Sequence, residues 1–130
     1  MRPPTLLLAS LLAAAPLAAQ PRRPAAAHVI AERVEPGPET PHCDVVHFLV
    51  PMRYRVRSVE NGALTPSTEI EVIVSCPQLT GVRFTAGALH RLTLAPRRLW
   101  QSGAIVPWPG HPTPARRWWA RALSAAPVTR

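Results

Sequence analysis

Past its first twenty residues, the 130-residue sequence has no apolar run long enough to cross a membrane as a helix, which excludes an integral helical membrane protein. Acidic residues number only seven, and most alternate with apolar ones. A carboxylate pair for glycoside hydrolysis needs two of them converging in a cleft. Glu69 and Glu71 share a strand face but sit opposite arginines, a pattern that serves register. Ser75, Ser102 and Ser124 lie in no nucleophile elbow, so no serine is placed beside a base and its orienting group. No catalytic residue is therefore assigned, and the chain is expected to be no enzyme. Lysine is absent: all fifteen basic residues are arginine, and the formal charge is +8 at pH 7. With abundant alanine and proline, all-arginine usage is as much a codon-composition signature as a selected property. The charge favours anionic partners.

Residues 1–19 read as a signal peptide. Arg2 is the positive start, Leu6, Leu7, Leu8, Leu11 and Leu12 form a short apolar core, and Leu17-Ala18-Ala19 offers a cleavage site. The expected location is secreted or periplasmic. Export discounts nucleic acid as a partner and leaves an unknown protein or an anionic envelope component. A monomer of one domain, spanning 28–124, is expected behind a Pro/Ala-rich lead-in at 20–27, with 125–130 as a tail. In an oxidising compartment the only two cysteines, Cys43 and Cys76, suggest one disulfide. A hairpin of 53–59 with 69–75 would set Cys76 opposite about residue 52, well short of Cys43, so the bond requires a bent strand or a different pairing. His42-Cys43-Asp44 with His47 has metal-ligand residue types. On a strand, however, Cys43 and His47 would lie about 13 Å apart, beyond one ion. No metal or cofactor is expected.

What the chain has is alternation. His28–Val34 is a first strand candidate, with Val29 and Ala31 on one face. Val45–Val50 is an apolar run suited to burial on both faces, and Pro51 after it marks a bend, bulge or edge. Tyr54 and Val56 face away from Arg53, Arg55 and Arg57. Asn61-Gly62 is a turn signal. Ile70, Val72, Val74 and Cys76 oppose Glu69 and Glu71. The arginine face of one strand then lies beside the glutamate face of the next, and a one-residue slip would bury the charges. Val82 and Phe84 begin another strand that Gly87 interrupts before Leu92 and Leu94, and Ala104-Ile105-Val106 is one more short apolar segment.

From Ala115 to Ser124, helical spacing puts Ala115, Trp118, Trp119, Ala122 and Leu123 on one face. Thr113-Pro114 resembles the start of a helix. The expected fold is mainly β: a small antiparallel OB-like barrel of five to six strands with a C-terminal amphipathic helix, and a two-sheet sandwich as the alternative. The candidate binding surface comprises Arg53, Arg55 and Arg57 on the barrel with Arg116, Arg117, Trp118, Trp119 and Arg121 on the helix. Tryptophan with arginine also suits peripheral membrane contact.

The order of these pieces resembles the netrin-like domain. That group includes the tissue inhibitors of metalloproteinases and small secreted bacterial proteins. The resemblance rests on Tyr54-x-Val56-x-x-Val59-x-x-Gly62, Glu69-Ile70-Glu71-Val72, Phe84-x-x-Gly87 with Leu92-Thr93-Leu94, and Ile105-Val106-Pro107-Trp108, and it covers roughly 28–110. It implies a barrel of the OB type. The family's inhibitors chelate zinc through a Cys-x-Cys at the mature N-terminus, and no cysteine precedes Cys43 here. The resemblance therefore implies shape and carries no inhibitory mechanism. The resulting expectation is an exported non-enzymatic binding protein, with an accessory or inhibitor protein of a cell-envelope enzyme as the alternative.

Overall fold

A computed structural model describes residues 26–35, 37–98, 103–111 and 116–127. Six strands follow one another: β1 (Ala27–Arg33), β2 (Phe48–Asn61), β3 (Glu69–Ser75), β4 (Leu89–Ala95), β5 (Ala104–Ile105) and β6 (Trp118–Ala125). A 3-10 turn, Pro77–Leu79, lies between β3 and β4. Strands β1, β2 and β3 form an antiparallel meander. β4 returns to the free side of β1, and β6 fills the gap between β4 and β3, pairing parallel with β3. Because β1 pairs with both β2 and β4, the five strands close into a barrel, and β5 adds a short parallel pairing to the start of β2.

The period-two readings of β2 and β3 hold. Arg53 is the Cα partner of Glu71 and Arg55 that of Glu69, while Val50, Met52, Tyr54 and Val56 meet Ile70, Val72 and Val74 in the core. Leu49 O and Arg53 O point away from β3, accepting from Val106 N and Val34 N. By strand alternation Pro51 turns its nitrogen the same way, between β5 and the end of β1, where the ladder loses no donor. Gly62 follows Asn61 with φ +110°, and a Cβ there would come within 2.8 Å of Ala27 Cβ, so the turn requires glycine.

The C-terminal helix is corrected. Residues Trp118–Ala125 are a strand, β6, and the described residues include no α-helix. Its pairing with β4 shifts register between Thr93 and Leu94, whose partners are Ala122 and Ala120, leaving Arg121 as the extra residue of a bulge. The bulge puts Trp118, Ala120 and Leu123 against one core, a spacing of two and then three. Trp119 lies on the opposite face with Leu49, Ile73 and Ala95. Apolar residues on both faces, joined by a bulge, imitate a helical stripe. The proposed helix start at 113–114 lies outside the described residues, as does the signal segment. Ala126 N donates to Leu89 O, so pairing continues beyond residue 124 into the expected tail.

Two smaller expectations also change. Val45 and Val46 are 92% and 53% exposed, so the run at 45–50 is buried only from Leu49 onward. Val82 and Phe84 belong to an irregular segment that ends in the turn at Gly87 and leads into β4. There Phe84 packs on the core without a ladder partner.

Cys43 and Cys76 are bonded, with Cα atoms 5.7 Å apart. Cys76 N donates to Phe48 O, which places Cys76 just beyond the β2–β3 ladder, and the chain before β2 folds back so that Phe48 N reaches Cys43 Sγ at 3.4 Å. The expected register is corrected: Cys76 lies opposite Phe48 and not about residue 52, a four-residue shift that keeps the same faces inward, and this shift together with the return of the chain before β2 brings Cys43 within reach. The disulfide is consistent with an oxidising location, and no helix among the described residues is long and apolar enough to cross a membrane.

Candidate functional site

The arginines expected to form a binding surface are largely engaged with the chain's own carboxylates. Arg55 Nη2 donates to Glu69 Oε1 at 2.7 Å, and Arg57 Nε donates to Glu32 Oε2 at 2.6 Å. Arg53 Nη1 lies 3.2 Å from Glu35 Oε1, with its guanidinium carbon 5.7 Å from the centre of the Trp108 ring. Glu71 therefore goes to Arg117, whose Nε donates to Oε1 at 2.5 Å, and that carboxylate is nearly buried. Arg116 stands over Trp118 at 5.9 Å, and Arg121 is exposed at the bulge. Trp118 and Trp119 are only 6% and 9% exposed, on opposite faces of β6. The two indoles thus turn to opposite sides of β6 and pack within the protein.

A polar layer inside the barrel is a stronger candidate. On β1 the inward positions are Ala27, Val29, Ala31 and then Arg33, which is 3% exposed. Tyr54 from β2 and His90 from β4 point inward beside it, at 0% and 1% exposed. Tyr54 Oη lies 2.8 Å from His90 Nδ1, and His90 Nε2 lies 2.9 Å from Arg83 O. A carbonyl only accepts, so the ring proton sits on Nε2, and Nδ1 accepts from the tyrosine hydroxyl. Phe84 meets the imidazole edge-on with centroids 5.2 Å apart, and the Arg33 guanidinium carbon lies 5.9 Å from the Tyr54 ring centre.

The electrostatics follow from burial. Desolvation raises the Tyr54 pKa well above its ordinary value, against the pull of Arg33. His90 is held below its ordinary 6.5, first by desolvation and also by the positive Arg33, with the Arg83 carbonyl opposing. The unfolded chain thus takes up a proton at higher pH than the fold does. Stability from neutral His90 is present above about pH 6.5 and is lost as pH falls through the lower native value. Urea midpoints at pH 7.5 and pH 5 should fall more steeply for the native protein than for His90→Gln. Equal slopes would show that His90 does not titrate this way.

Arg33 has no such settlement. Its Nε and Nη1 are buried without a hydrogen-bond partner, and desolvation lowers its pKa against weaker support from Tyr54 and Glu35. It lines a cavity of about 290 Å³ at the barrel end, together with Met52, Val82, Phe84, Thr40 and Gln78. A Cβ on Gly37 would come within 2.8 Å of Arg33 Nη2, so glycine leaves room beside the guanidinium. The loop forming one wall is tied down by the Cys43–Cys76 bond and by Gln78 Nε2 donating to Pro41 O at 2.6 Å.

Sequence reasoning missed this site, although the signal was there. Period two from Val29 and Ala31, taken as inward, places Arg33 inside as well. Among the described residues no group of three or more His, Cys, Asp or Glu is placed to hold a metal ion. Set against known proteins, the chain matches no family model, no curated protein and no solved structure.

Proposed function

We propose that this chain is an exported, non-enzymatic binding protein whose ligand site is the barrel-end cavity around Arg33. The observation that carries the reading is Arg33 itself: a residue 3% exposed, with two buried nitrogens that have no hydrogen-bond partner, beside an open cavity. An uncompensated buried charge is costly, and an arriving anion offsets that cost. The Tyr54–His90 pair beside it is satisfied by its own hydrogen bonds and serves as a wall. The barrel is read as the OB type. Support comes from β4 returning beside β1 after a three-strand meander, a Greek-key order, in a closed five-stranded barrel. The netrin-like resemblance belongs to the same reading, and export is supported by the disulfide and the apolar leader sequence.

A second reading, an accessory or inhibitor protein of a cell-envelope enzyme, is favoured by the exposed apolar tip of Val45, Val46 and Leu79 flanking the disulfide. Membrane-surface binding loses its basis with the helix.

Native mass spectrometry of the protein isolated gently from the envelope fraction tests the binding reading. The expected spectrum shows a non-covalent complex of fixed stoichiometry that Arg33→Gln loses while remaining folded by circular dichroism. Bare protein in both preparations would count against a ligand at Arg33.

A further inference from the structure

We infer that the groove over β2 and β3, between the segment that leaves β5 and the approach to β6, binds a neutral polyhydroxyl ring, a single sugar unit. The site lies apart from the Arg33 cavity, with which it shares no lining residue.

Glu71 lines this groove from β3. Its side chain is 7% exposed, and Arg117 Nε donates to its Oε1 at 2.5 Å. The second carboxylate oxygen has no hydrogen-bond partner among the described residues, and it is not one of the side-chain atoms closed off from solvent without a partner. Because Glu71 is otherwise buried, that oxygen meets solvent in the groove. It is an acceptor without a donor, and the Arg117 guanidinium beside it carries further N–H donors. Two neighbouring hydroxyls match this pair: one donates to the free oxygen while the next accepts from the arginine.

The charges select against an ion. Glu71 is compensated by Arg117, and Arg53, its cross-strand partner, by Glu35 at 3.2 Å. A cation bound at Glu71 would stand beside the Arg117 guanidinium, and an anion bound at Arg117 would stand beside the carboxylate. A hydroxyl uses both groups without adding charge. The other walls suit the C–H faces of a ring. Pro51, Ile105 and Pro107 are apolar, and Trp108 is held by His111, stacked on it with centroids 3.9 Å apart. The volume, about 240 Å³, holds about eight water-sized groups at about 30 Å³ each, enough for one ring and too little to enclose two.

The test is an NMR titration of the disulfide-intact protein with the methyl glycosides of glucose, galactose and N-acetylglucosamine. Cyclohexanol, cyclohexylammonium and cyclohexanecarboxylate are the ring-sized controls. At least one glycoside should saturably shift the Trp108 indole N–H and the Ile105 amide. Each control should bind at least about tenfold more weakly, the factor expected for losing a hydrogen bond to a charged group. Glu71→Gln should weaken that glycoside by about tenfold as well. Pro107→Trp, at an exposed position of the wall, should block it and serves if Glu71→Gln fails to fold. Arg121→Ala, outside the groove, should leave binding unchanged. No saturable shift with any of the three glycosides, a control that binds as tightly as the best of them, or undiminished binding to Glu71→Gln and Pro107→Trp would each overturn the assignment.

Discussion

Trp118→Ala is expected to lower the unfolding free energy by about 3–5 kcal/mol, a large part of the 5–15 kcal/mol typical of a domain. Trp118 is 6% exposed, and its indole sits in the main core with Val72, Val74 and Leu94. Trp118 is the Cα partner of Val72 where β6 joins β3, so its removal leaves a cavity in the core at that seam. Deleting residues 116–130 should have a larger effect. β6 is the strand that hydrogen-bonds to both β3 and β4, so its loss opens the barrel along two edges. No cooperative urea transition should remain by far-UV circular dichroism. Arg121→Ala, at the exposed bulge, provides the contrast and should change stability by less than about 0.5 kcal/mol. A truncated chain that still unfolds cooperatively near the native midpoint would show that β6 does not close the barrel.

Replacing both cysteines by serine is expected to cost about 3–4 kcal/mol on the chain-entropy account, for a bond linking residues 33 apart. The effect should be local as well as global. The bond holds the loop before β2 against the 3-10 turn, and Gln78 reaches the same loop at Pro41. Without it, amides of residues 40–47 should exchange faster with solvent while the β1–β4 ladder keeps its relative protection. The affinity of the cavity should fall too, since Thr40 and Gln78 line it. Intact protein should weigh two hydrogens less than the reduced chain. A midpoint unchanged on reduction would mean that the loop is held by its other contacts.

The contrast between β3 and β6 shows how far the sequence could be read. In β3, Ile70, Val72 and Val74 alternate strictly with Glu69 and Glu71, and no bulge intervenes, so the facing follows from period two; the register does not, and the ladder sets Cys76 opposite Phe48 rather than about residue 52. In β6 the extra residue at Arg121 breaks the period, and burial of Trp118 and Trp119 on opposite faces completes a helical-looking stripe. The disulfide was legible from the count of cysteines, whereas its geometry depends on the fold-back before Phe48. Arg33 was legible as an inward residue of β1, but the missing hydrogen-bond partners of its Nε and Nη1 were not. Whether a buried guanidinium is partnered depends on what β2, β4 and the loops after β1 and β3 bring to it.

The sequence by itself determined the mainly β class, the facing of Tyr54 and Val56 against the arginines and the identity of the two bonded cysteines. These follow from turn chemistry and a two-residue period, which are properties of near neighbours. Tertiary structure alone decided that residues 118–125 form the closing strand, that the arginine face is met by Glu32, Glu35 and Glu69, and that two buried nitrogens of Arg33 are left without a hydrogen-bond partner. Those outcomes depend on pairings between distant segments. A strand with two free edges on either side of it gains more from completing both ladders than from its own helical bonds, and a buried charge is settled only by what the rest of the fold places within its reach.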